Sequence, residues 1–345
     1  MKVSLLTYWG ADNYGATLQA YATIRILKDY GHDVELINLQ IDNPQQSLLK
    51  RVILYPKHLK FNRFRKRFFV CSQPYSSLEA LQTKPPIADY YMVGSDQTWN
   101  PDISKDKARA FFLDFGGKNI KRITYASSFG KDKWEDSKWI TKKDVVKLLS
   151  QFNSIAIREN SGVKILNEFG LKSVQVLDPV LLYDQYPELI GTPKQKEELV
   201  LYKLVNTKEF YNKAKLIGRQ LNIQVRSIGS IRRIKGIRCA YPESIPGWMA
   251  RIAGGQYIIT DSFHGTVISL LYQKQFVVCV GNPKLVTRIK SLLTLVNLED
   301  RIMSVNDSIE DIMGKLMRPI DYAMVNSILA NERKISKEYL TKTII

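Results

Sequence analysis

A polar loop follows directly on an apolar strand at Tyr257–Thr260. The loop and the first helical turn after it contain Asp261, Ser262, His264, Gly265 and Thr266. Amides at the start of a helix bind anions, and an imidazole titrates near neutral pH. His264 is therefore a candidate for proton transfer beside an anionic substrate. Asp261 either orients its imidazole or caps the helix.

Cations follow two other predicted strands. Lys284 and Arg288 come after the strand 276–280, and Arg158 comes after the strand 155–157. In parallel α/β sheets, ligands bind beyond the carboxyl ends of the strands. Cations that converge there can neutralise a small polyanion, Arg through a bidentate fork and Lys as a point charge. The alternative for each is a surface salt bridge.

Side chains typical of sugar-binding sites follow strands nearer the N-terminus. Asp96, Gln97 and Trp99 come after the strand 90–93, and Asn13 comes after the strand 3–7. Planar amides and carboxylates can bind sugar hydroxyls, and aromatic rings can stack on the sugar. A turn or helix cap explains Asn13 equally well.

Short apolar strands alternate with amphipathic helices along the chain. A strand over 3–7, a helix over 16–30 and a strand over 34–39 form a first βαβ unit, and the alternation restarts after the polar stretch 191–198. This alternation predicts parallel sheets with right-handed crossovers. We therefore expect an α/β protein with two Rossmann-like domains that face each other across a cleft.

The predicted domain boundaries follow from the polar stretch. Residues 1–188 form the N-terminal Rossmann-like domain, and residues 189–318 form the C-terminal one. Residues 319–345 contain a helix that packs back on the first domain.

Length and composition exclude several classes of protein. With 345 residues, two domains are the default, and no apolar run approaches the roughly 18 residues that span a bilayer. The N-terminus has the pattern of a buried strand and not of a secretory signal. Three distant cysteines argue against disulfides or a cysteine-based zinc site, so we expect a cytoplasmic protein. Dinucleotide, P-loop, zincin and hydrolase-elbow motifs do not occur, and no metal-ligand cluster is visible.

The positive charge is concentrated in residues 50–67, here called the basic segment. The chain has a formal net charge of +18, and no acid lies between Asp42 and Glu79. Eight Lys and Arg residues and several phenylalanines occur in that interval. Three interpretations stay open: a solvated helical face, peripheral contact with an anionic membrane or a lipid-pyrophosphate acceptor, and nucleic-acid binding. We expect no nucleic-acid partner, because recognition motifs for one do not occur.

Several motifs in sequence order resemble the polysaccharide pyruvyl transferase family. They are Asn13-Tyr14-Gly15-Ala16 with Gln19-Ala20, Val93–Asn100, Ala126–Gly130, Ile157–Glu159, Leu177–Pro179 and Thr260–Thr266. The resemblance implies a fold like that of the two-domain GT-B glycosyltransferases. It also implies transfer of pyruvate from phosphoenolpyruvate to two sugar hydroxyls as a cyclic ketal, with release of phosphate, in surface polysaccharide or cell-wall glycan biosynthesis.

The resemblance also implies roles for the candidate residues. His264, Arg158 and Lys284 match positions where the family contacts phosphoenolpyruvate. His264 would transfer a proton to the donor or to its leaving phosphate, and Asp96 would accept a sugar proton or bind the sugar. The remaining substrate-binding candidates are Arg288, Ser262, Gly265, Thr266, Asn13, Gln97 and Trp99.

The expected ligands follow from this reaction. Phosphoenolpyruvate is the donor substrate, and neither a cofactor nor a metal is required. The acceptor is a sugar or a lipid-linked oligosaccharide, and a lipid-linked acceptor would place the protein at the inner face of the membrane. Residues 1–188 would form the acceptor side, and residues 189–318 the donor side.

Two other functions stay open. The first is a nucleotide-sugar glycosyltransferase, since one fold supports many reactions. Such an enzyme usually has an acid for the ribose in its second domain, and residues 276–288 contain none. The second is a non-catalytic protein that binds glycans or lipid head groups through the basic segment.

Overall fold

The computed structural model describes residues 1–41, 47–230, 233–281 and 286–344. They form two compact units. The first comprises the described residues within Met1–Gln45, Lys66–Tyr183 and Ala330–Ile345, and the second those within Gln46–Arg65 and Asp184–Leu329.

The first unit contains a parallel five-stranded sheet in the order β3-β2-β1-β4-β5. The strands are β1 (Lys2–Leu6), β2 (Asp33–Leu39), β3 (Cys71–Tyr75), β4 (Tyr90–Val93) and β5 (Lys121–Thr124), and a separate parallel pair is formed by β6 (Ala156–Ile157) and β7 (Val174–Gln175). The helices are α1 (Tyr14–Asp29), α3 (Leu78–Thr83), α4 (Pro101–Ser104), α5 (Ala108–Phe111), α6 (Lys142–Leu149), α7 (Asn160–Glu168) and α8 (Pro179–Tyr183).

The second unit contains a parallel six-stranded sheet in the order β10-β9-β8-β11-β12-β13. The strands are β8 (Lys196–Tyr202), β9 (Gln224–Ile228), β10 (Arg238–Ala240), β11 (Gly255–Thr260), β12 (Gln275–Val280) and β13 (Ile302–Ser304). The helices are α9 (Pro187–Ile190), α10 (Lys208–Gln220), α11 (Ile245–Gly254), α12 (Phe263–Leu271), α13 (Val286–Leu295) and α14 (Ile309–Met317). Two longer helices, α2 (Leu48–Phe68) and α15 (Tyr322–Ile344), contribute residues to both units.

The first sheet is buried on both faces, as parallel sheets with crossover helices are. In β1, Val3 and Leu5 belong to one apolar cluster and Leu6 belongs to another. Since successive side chains of a strand point to opposite faces, these two clusters lie on the two sides of the sheet. The prediction of an α/β protein with parallel sheets is confirmed.

The C-terminal part of α15 covers the sheet face that contains Val3 and Leu5. Tyr339 and Leu340 are buried in that cluster, and the Tyr339 hydroxyl donates to the Thr124 carbonyl at 2.9 Å. The predicted helix that packs back on the first unit is therefore present. Its first residues contact the second unit instead, where Tyr322 donates to the Lys274 carbonyl at 2.5 Å.

Residues 47–65 belong to the second unit, whereas the predicted boundaries grouped them with residues 1–188. Phe61 is fully buried. The Lys60 ammonium donates to the Pro242 carbonyl at 2.6 Å, and the Tyr241 hydroxyl donates to the Ile53 carbonyl at 3.2 Å. These long-range bonds attach α2 to the second unit. Among the described helices, α2 included, none is long and apolar enough to cross a bilayer.

Candidate functional site

The turn between β11 and α12 has a well-defined hydrogen-bond pattern. The Thr260 hydroxyl accepts from the Ser262 amide at 3.1 Å and donates to the Tyr202 carbonyl at 2.7 Å. Ser262 is the N-cap of α12, because its hydroxyl accepts from the Gly265 amide at 3.3 Å. The turn therefore presents the first residues of α12 at the carboxyl end of the sheet.

Gly265 allows α12 to begin close to β11. A Cβ at this position would overlap the Thr260 hydroxyl and would lie 3.0 Å from Cδ1 of Tyr202. The amide of Gly265 donates to the Ser262 hydroxyl, and the amide of Thr266 donates to the Ser262 carbonyl at 3.0 Å. The predicted use of these two amides for an anion is therefore not available in this conformation.

The side chain of Thr266 is also engaged within the helix. Its hydroxyl donates to the Ser262 carbonyl at 3.1 Å, and the residue is fully buried. Ser262, Gly265 and Thr266 thus shape the start of α12.

His264 and Arg288 both contact the ring of Phe263. His264 is the second residue of α12 and is buried, with its ring perpendicular to Phe263 at a centroid distance of 5.3 Å. Arg288 lies in the first turn of α13, and its guanidinium carbon is 6.0 Å from the Phe263 centroid. An imidazole in the first turn of α12 and a cation in the first turn of α13 therefore share one aromatic neighbour in the second unit. This arrangement suits an anionic ligand that exchanges a proton.

Asp261 connects three strand ends. Its two carboxylate oxygens accept from the amides of Leu204 and Val205 at 2.6 and 3.0 Å, and the Lys203 ammonium lies 3.1 Å away. The same ammonium donates to the Cys279 carbonyl at 2.5 Å. Asp261 was predicted either to orient the imidazole or to cap α12. The N-cap of α12 is Ser262 instead.

Lys203 did not appear among the predicted site residues. Its side chain is almost fully buried between Asp261 and the Phe210 ring, whose centroid is 4.7 Å from the ammonium. Lys203 directly follows β8, and a lysine that ends an apolar run was the available signal, because every strand end is a candidate position. Lys284 lies outside the described residues.

Arg158 lies in a buried cluster of the first unit, where β6 ends. Its Nη1 donates to Asp178 Oδ2 at 2.9 Å and to the Ser95 hydroxyl at 3.3 Å, and its Nε is 3.6 Å from Glu159 Oε2. Burial lowers the pKa of Arg158, but Asp178 and Glu159 outweigh that effect and leave the pKa above its ordinary value. A guanidinium with two adjacent carboxylates is already compensated in charge.

The Asp178 carboxylate also accepts from the Ser95 hydroxyl at 3.0 Å. This contact ties the loop after β4 to the start of α8. The polar region continues through Thr7, whose hydroxyl donates to the Ser95 carbonyl at 2.8 Å, and Gln19, whose amide donates to Thr7 Oγ1 at 2.8 Å. A glutamine between apolar positions of α1 was the sequence signal for this buried network.

Asp96 and Gln97 are half-buried in the loop after β4. Asp96 has a positive φ of 78°, and its carboxylate accepts from the Gln97 amide at 2.9 Å. The Gln97 carbonyl oxygen accepts from the Asn100 side chain at 3.1 Å. Both side chains are thus partly accessible at the edge of the sheet.

Trp99 and Asn13 have structural roles here. The Trp99 ring is fully buried, stacks on Phe112 at a centroid distance of 5.4 Å, and donates to the Phe111 carbonyl at 2.9 Å. The predicted stacking of Trp99 on a sugar is not available in this conformation, because the ring has no exposed face. Asn13 is exposed and caps α1 by accepting from the Ala16 amide at 3.1 Å.

The family model for polysaccharide pyruvyl transferases matches residues 13–283, which is most of the chain and includes both strand-end regions described above. The chain belongs to the polysaccharide pyruvyl transferase family. A comparison with curated protein sequences found no match to this chain.

Solved structures show the fold of this family member. UDP-GlcNAc 2-epimerase from Neisseria meningitidis is 11% identical, with a TM-score of 0.56, 99% of this chain covered and 100% of that one. The corresponding enzyme of Methanocaldococcus jannaschii is 10% identical, with a TM-score of 0.56 and 93% of each chain covered. Arabidopsis thaliana UGT89C1 is 11% identical, with a TM-score of 0.52, 98% of this chain covered and 99% of that one. The prediction of a GT-B-like fold with two Rossmann-like parts is confirmed.

Proposed function

We propose that this family member transfers the pyruvyl group of phosphoenolpyruvate to two hydroxyls of a sugar, forming a cyclic ketal and releasing phosphate. The observation that carries the proposal is the contact of His264 and Arg288 with one ring, Phe263, at the starts of α12 and α13. Membership of the family supports the same reaction class.

The donor requires positive charge, since phosphoenolpyruvate carries a carboxylate and a phosphate. Arg288 and the N-terminal ends of α12 and α13 supply favourable charge in the second unit. Lys284 is a further proposed contact of phosphoenolpyruvate, on the basis of its sequence position alone. Arg158 is also retained, but the substrate would have to compete with Asp178 for its guanidinium.

The proposed chemistry needs one proton donor and one proton acceptor. Protonation of C3 of phosphoenolpyruvate creates an oxocarbenium-like centre at C2, which the first sugar hydroxyl attacks while losing its proton. The second hydroxyl then forms a bond to C2 as the bond from C2 to the phosphate oxygen breaks, and its proton goes to the leaving phosphate. We propose that His264 transfers a proton to C3 or to the leaving phosphate. Asp96 accepts the sugar proton or binds the sugar.

The proposed acceptor is a sugar, either free or lipid-linked, in surface polysaccharide or cell-wall glycan assembly. Asp96 and Gln97 are the partly accessible polar groups of the first unit that support this assignment. Asn13 is exposed, although its side-chain oxygen already accepts from the Ala16 amide.

A thermal-shift titration tests the donor. A ligand that binds only the native state raises the melting temperature, and at about a hundred times its Kd the rise is about 3–4 °C for a chain of this size. We expect this rise with phosphoenolpyruvate and not with UDP, GDP or inorganic phosphate. The rise should be lost in Arg288→Ala and kept in Arg219→Ala, which removes an exposed arginine of the same unit. Stabilisation by a nucleotide alone would favour glycosyl transfer instead.

A product assay tests the reaction. With a candidate acceptor present, phosphate should be released, and the new ketal methyl group should appear in the proton NMR spectrum of the sugar. Release of phosphate without a ketal methyl signal in any acceptor would contradict the proposed transfer.

A further inference from the structure

Helix α2 has a buried face that holds it in the second unit. Phe61 and Phe64 are buried, and Lys57 and Arg65 approach the Phe61 ring at 5.3 and 5.4 Å from its centroid. Arg65 is itself buried. Part of the basic segment therefore serves to anchor the helix.

The opposite face of α2 carries a stripe of exposed apolar side chains. Val52, Tyr55 and Leu59 are 62%, 57% and 49% exposed, and they are followed by the exposed Arg63. Spacings of three and four residues place these four side chains along one line of a helix. We call Val52, Tyr55, Leu59 and Arg63 the outer stripe. Ile53, which is 42% exposed, lies beside it.

The basic segment contributes charge of one sign to the outer stripe. No acid lies between Asp42 and Glu79, so none is contributed by this part of the chain. Arg51 is exposed next to Val52, and Arg63 ends the stripe. The Lys60 ammonium donates to the Pro242 carbonyl. Among the exposed cations of the basic segment, Arg51 adjoins Val52 and Arg63 follows Leu59 by one helical turn, so these two lie beside the apolar side chains.

We propose that the outer stripe docks on the surface of an anionic lipid membrane. Apolar side chains with arginines beside them match a bilayer interface, where acyl chains lie just below anionic head groups. Tyr55 has the amphipathic ring that such interfaces favour. A nucleic acid would leave Val52 and Leu59 without an apolar partner, and a second copy would oppose like charges. The proposal stands independently of the pyruvyl transfer reaction.

Sedimentation with lipid vesicles tests the proposal. The full chain should bind vesicles of phosphatidylcholine with phosphatidylglycerol and should bind vesicles of phosphatidylcholine alone much more weakly. Arg51→Gln with Arg63→Gln should weaken binding to the anionic vesicles about 30-fold, from the typical contribution of each cation near a charged surface. Val52→Ser with Leu59→Ser should weaken it about tenfold or more.

Matched controls change the same residue types elsewhere on the second unit. Lys208→Gln with Arg219→Gln removes two exposed cations of α10, and Leu216→Ser with Met317→Ser removes two exposed apolar side chains. Both controls should bind vesicles like the unmodified chain. Unchanged melting temperatures show that every variant is folded.

Three results would overturn the proposal. They are no binding to anionic vesicles, equal binding to both kinds of vesicle, or an equal loss of vesicle binding in the stripe variants and in the controls. Dimerisation that the stripe variants abolish would assign the surface to a second copy, and binding of an oligonucleotide without vesicle binding would assign it to nucleic acid.

Discussion

Arg158 and Asp178 form an ion pair with a distance of 2.9 Å between Nη1 and Oδ2, and both side chains are almost fully buried. Glu159 lies on the other side of the guanidinium, with its Oε2 3.6 Å from Nε. This cluster joins the end of β6 to the residue that precedes α8. A substitution of Arg158 therefore acts on the stability of the first unit as well as on any ligand.

We expect Arg158→Ala to lower the free energy of unfolding by about 3–5 kcal/mol, because it leaves two buried carboxylates without their cation. Urea denaturation followed by circular dichroism measures this change. Arg251→Ala, which breaks a more exposed pair with Glu243, should cost about 1 kcal/mol or less. Equal losses in the two variants would show that the buried cluster contributes little. Ligand binding by Arg158→Ala has to be measured well below its melting temperature.

His264→Ala should lower turnover by at least about a hundredfold, the lower range for loss of a general acid or base. Binding of phosphoenolpyruvate should weaken only modestly, because Arg288 and the two helix N-termini remain. The measurements are phosphate release at saturating donor and the thermal shift. His58→Ala, an exposed histidine of α2, should turn over normally. Normal turnover in His264→Ala would remove this imidazole from the mechanism.

Gly265→Ala should lower the free energy of unfolding by about 1–3 kcal/mol, because its Cβ would overlap the Thr260 hydroxyl and crowd Tyr202. The start of α12 would shift, so turnover should fall as well. Gly314→Ala provides the control, since it also lies within a helix and its Cβ would meet nothing within 4 Å. There alanine should stabilise by about 0.5–1 kcal/mol. Stabilisation by both substitutions would contradict the close approach at Gly265.

Asp144 makes the first unit sensitive to acid. Hydrogen bonds from Thr141 and then from Arg109 lower the pKa of Asp144 from its ordinary value of 3.8 to about 2. Because the pKa is lower in the folded state, its stabilisation is complete above about pH 4 and is lost as the pH falls towards 2.

The side chain of Asp144 is about one third exposed, so we expect Asp144→Asn to cost only about 1 kcal/mol at pH 7. The slope of stability against pH between 4 and 2 should become flatter in this variant. Urea unfolding at a series of pH values measures both changes. Thr141→Val removes the hydrogen bond that lowers the pKa of Asp144 most, so it should show part of the same effect. An unchanged slope in both variants would show that Asp144 does not cause the acid sensitivity.

The regular elements were predictable where apolar residues recur. The strands predicted over 34–39 and 276–280 appear as β2 and β12. Residues 276–280 are a continuous apolar run, as is typical of central parallel strands, and β2 has four apolar residues among the six predicted. Strand β3 was not predicted because it is an edge strand with a largely accessible sequence and a proline. Its existence depends on pairing with β2, which its own side chains do not reveal.

The site was predictable in position but not in the partners of each side chain. Strand ends identified His264, Arg158 and Arg288. The burial of Trp99 depends on stacking against Phe112, which lies thirteen positions later in the chain. Likewise, the bond of Asp261 to residues 204 and 205 joins positions more than fifty residues apart. Such long-range contacts carry no local sequence pattern.

The placement of α15 has a consequence for how the protein is made. The Tyr339 hydroxyl bonds to the Thr124 carbonyl across 215 positions of the chain, and Ser336 accepts from the Leu177 amide across 159. Helix α1 already packs on this face, but during translation the part that Tyr339 and Leu340 cover stays exposed until the residues of the second unit have been synthesised. The nascent first unit therefore keeps apolar side chains exposed after the last strand of the second sheet, β13, has been made.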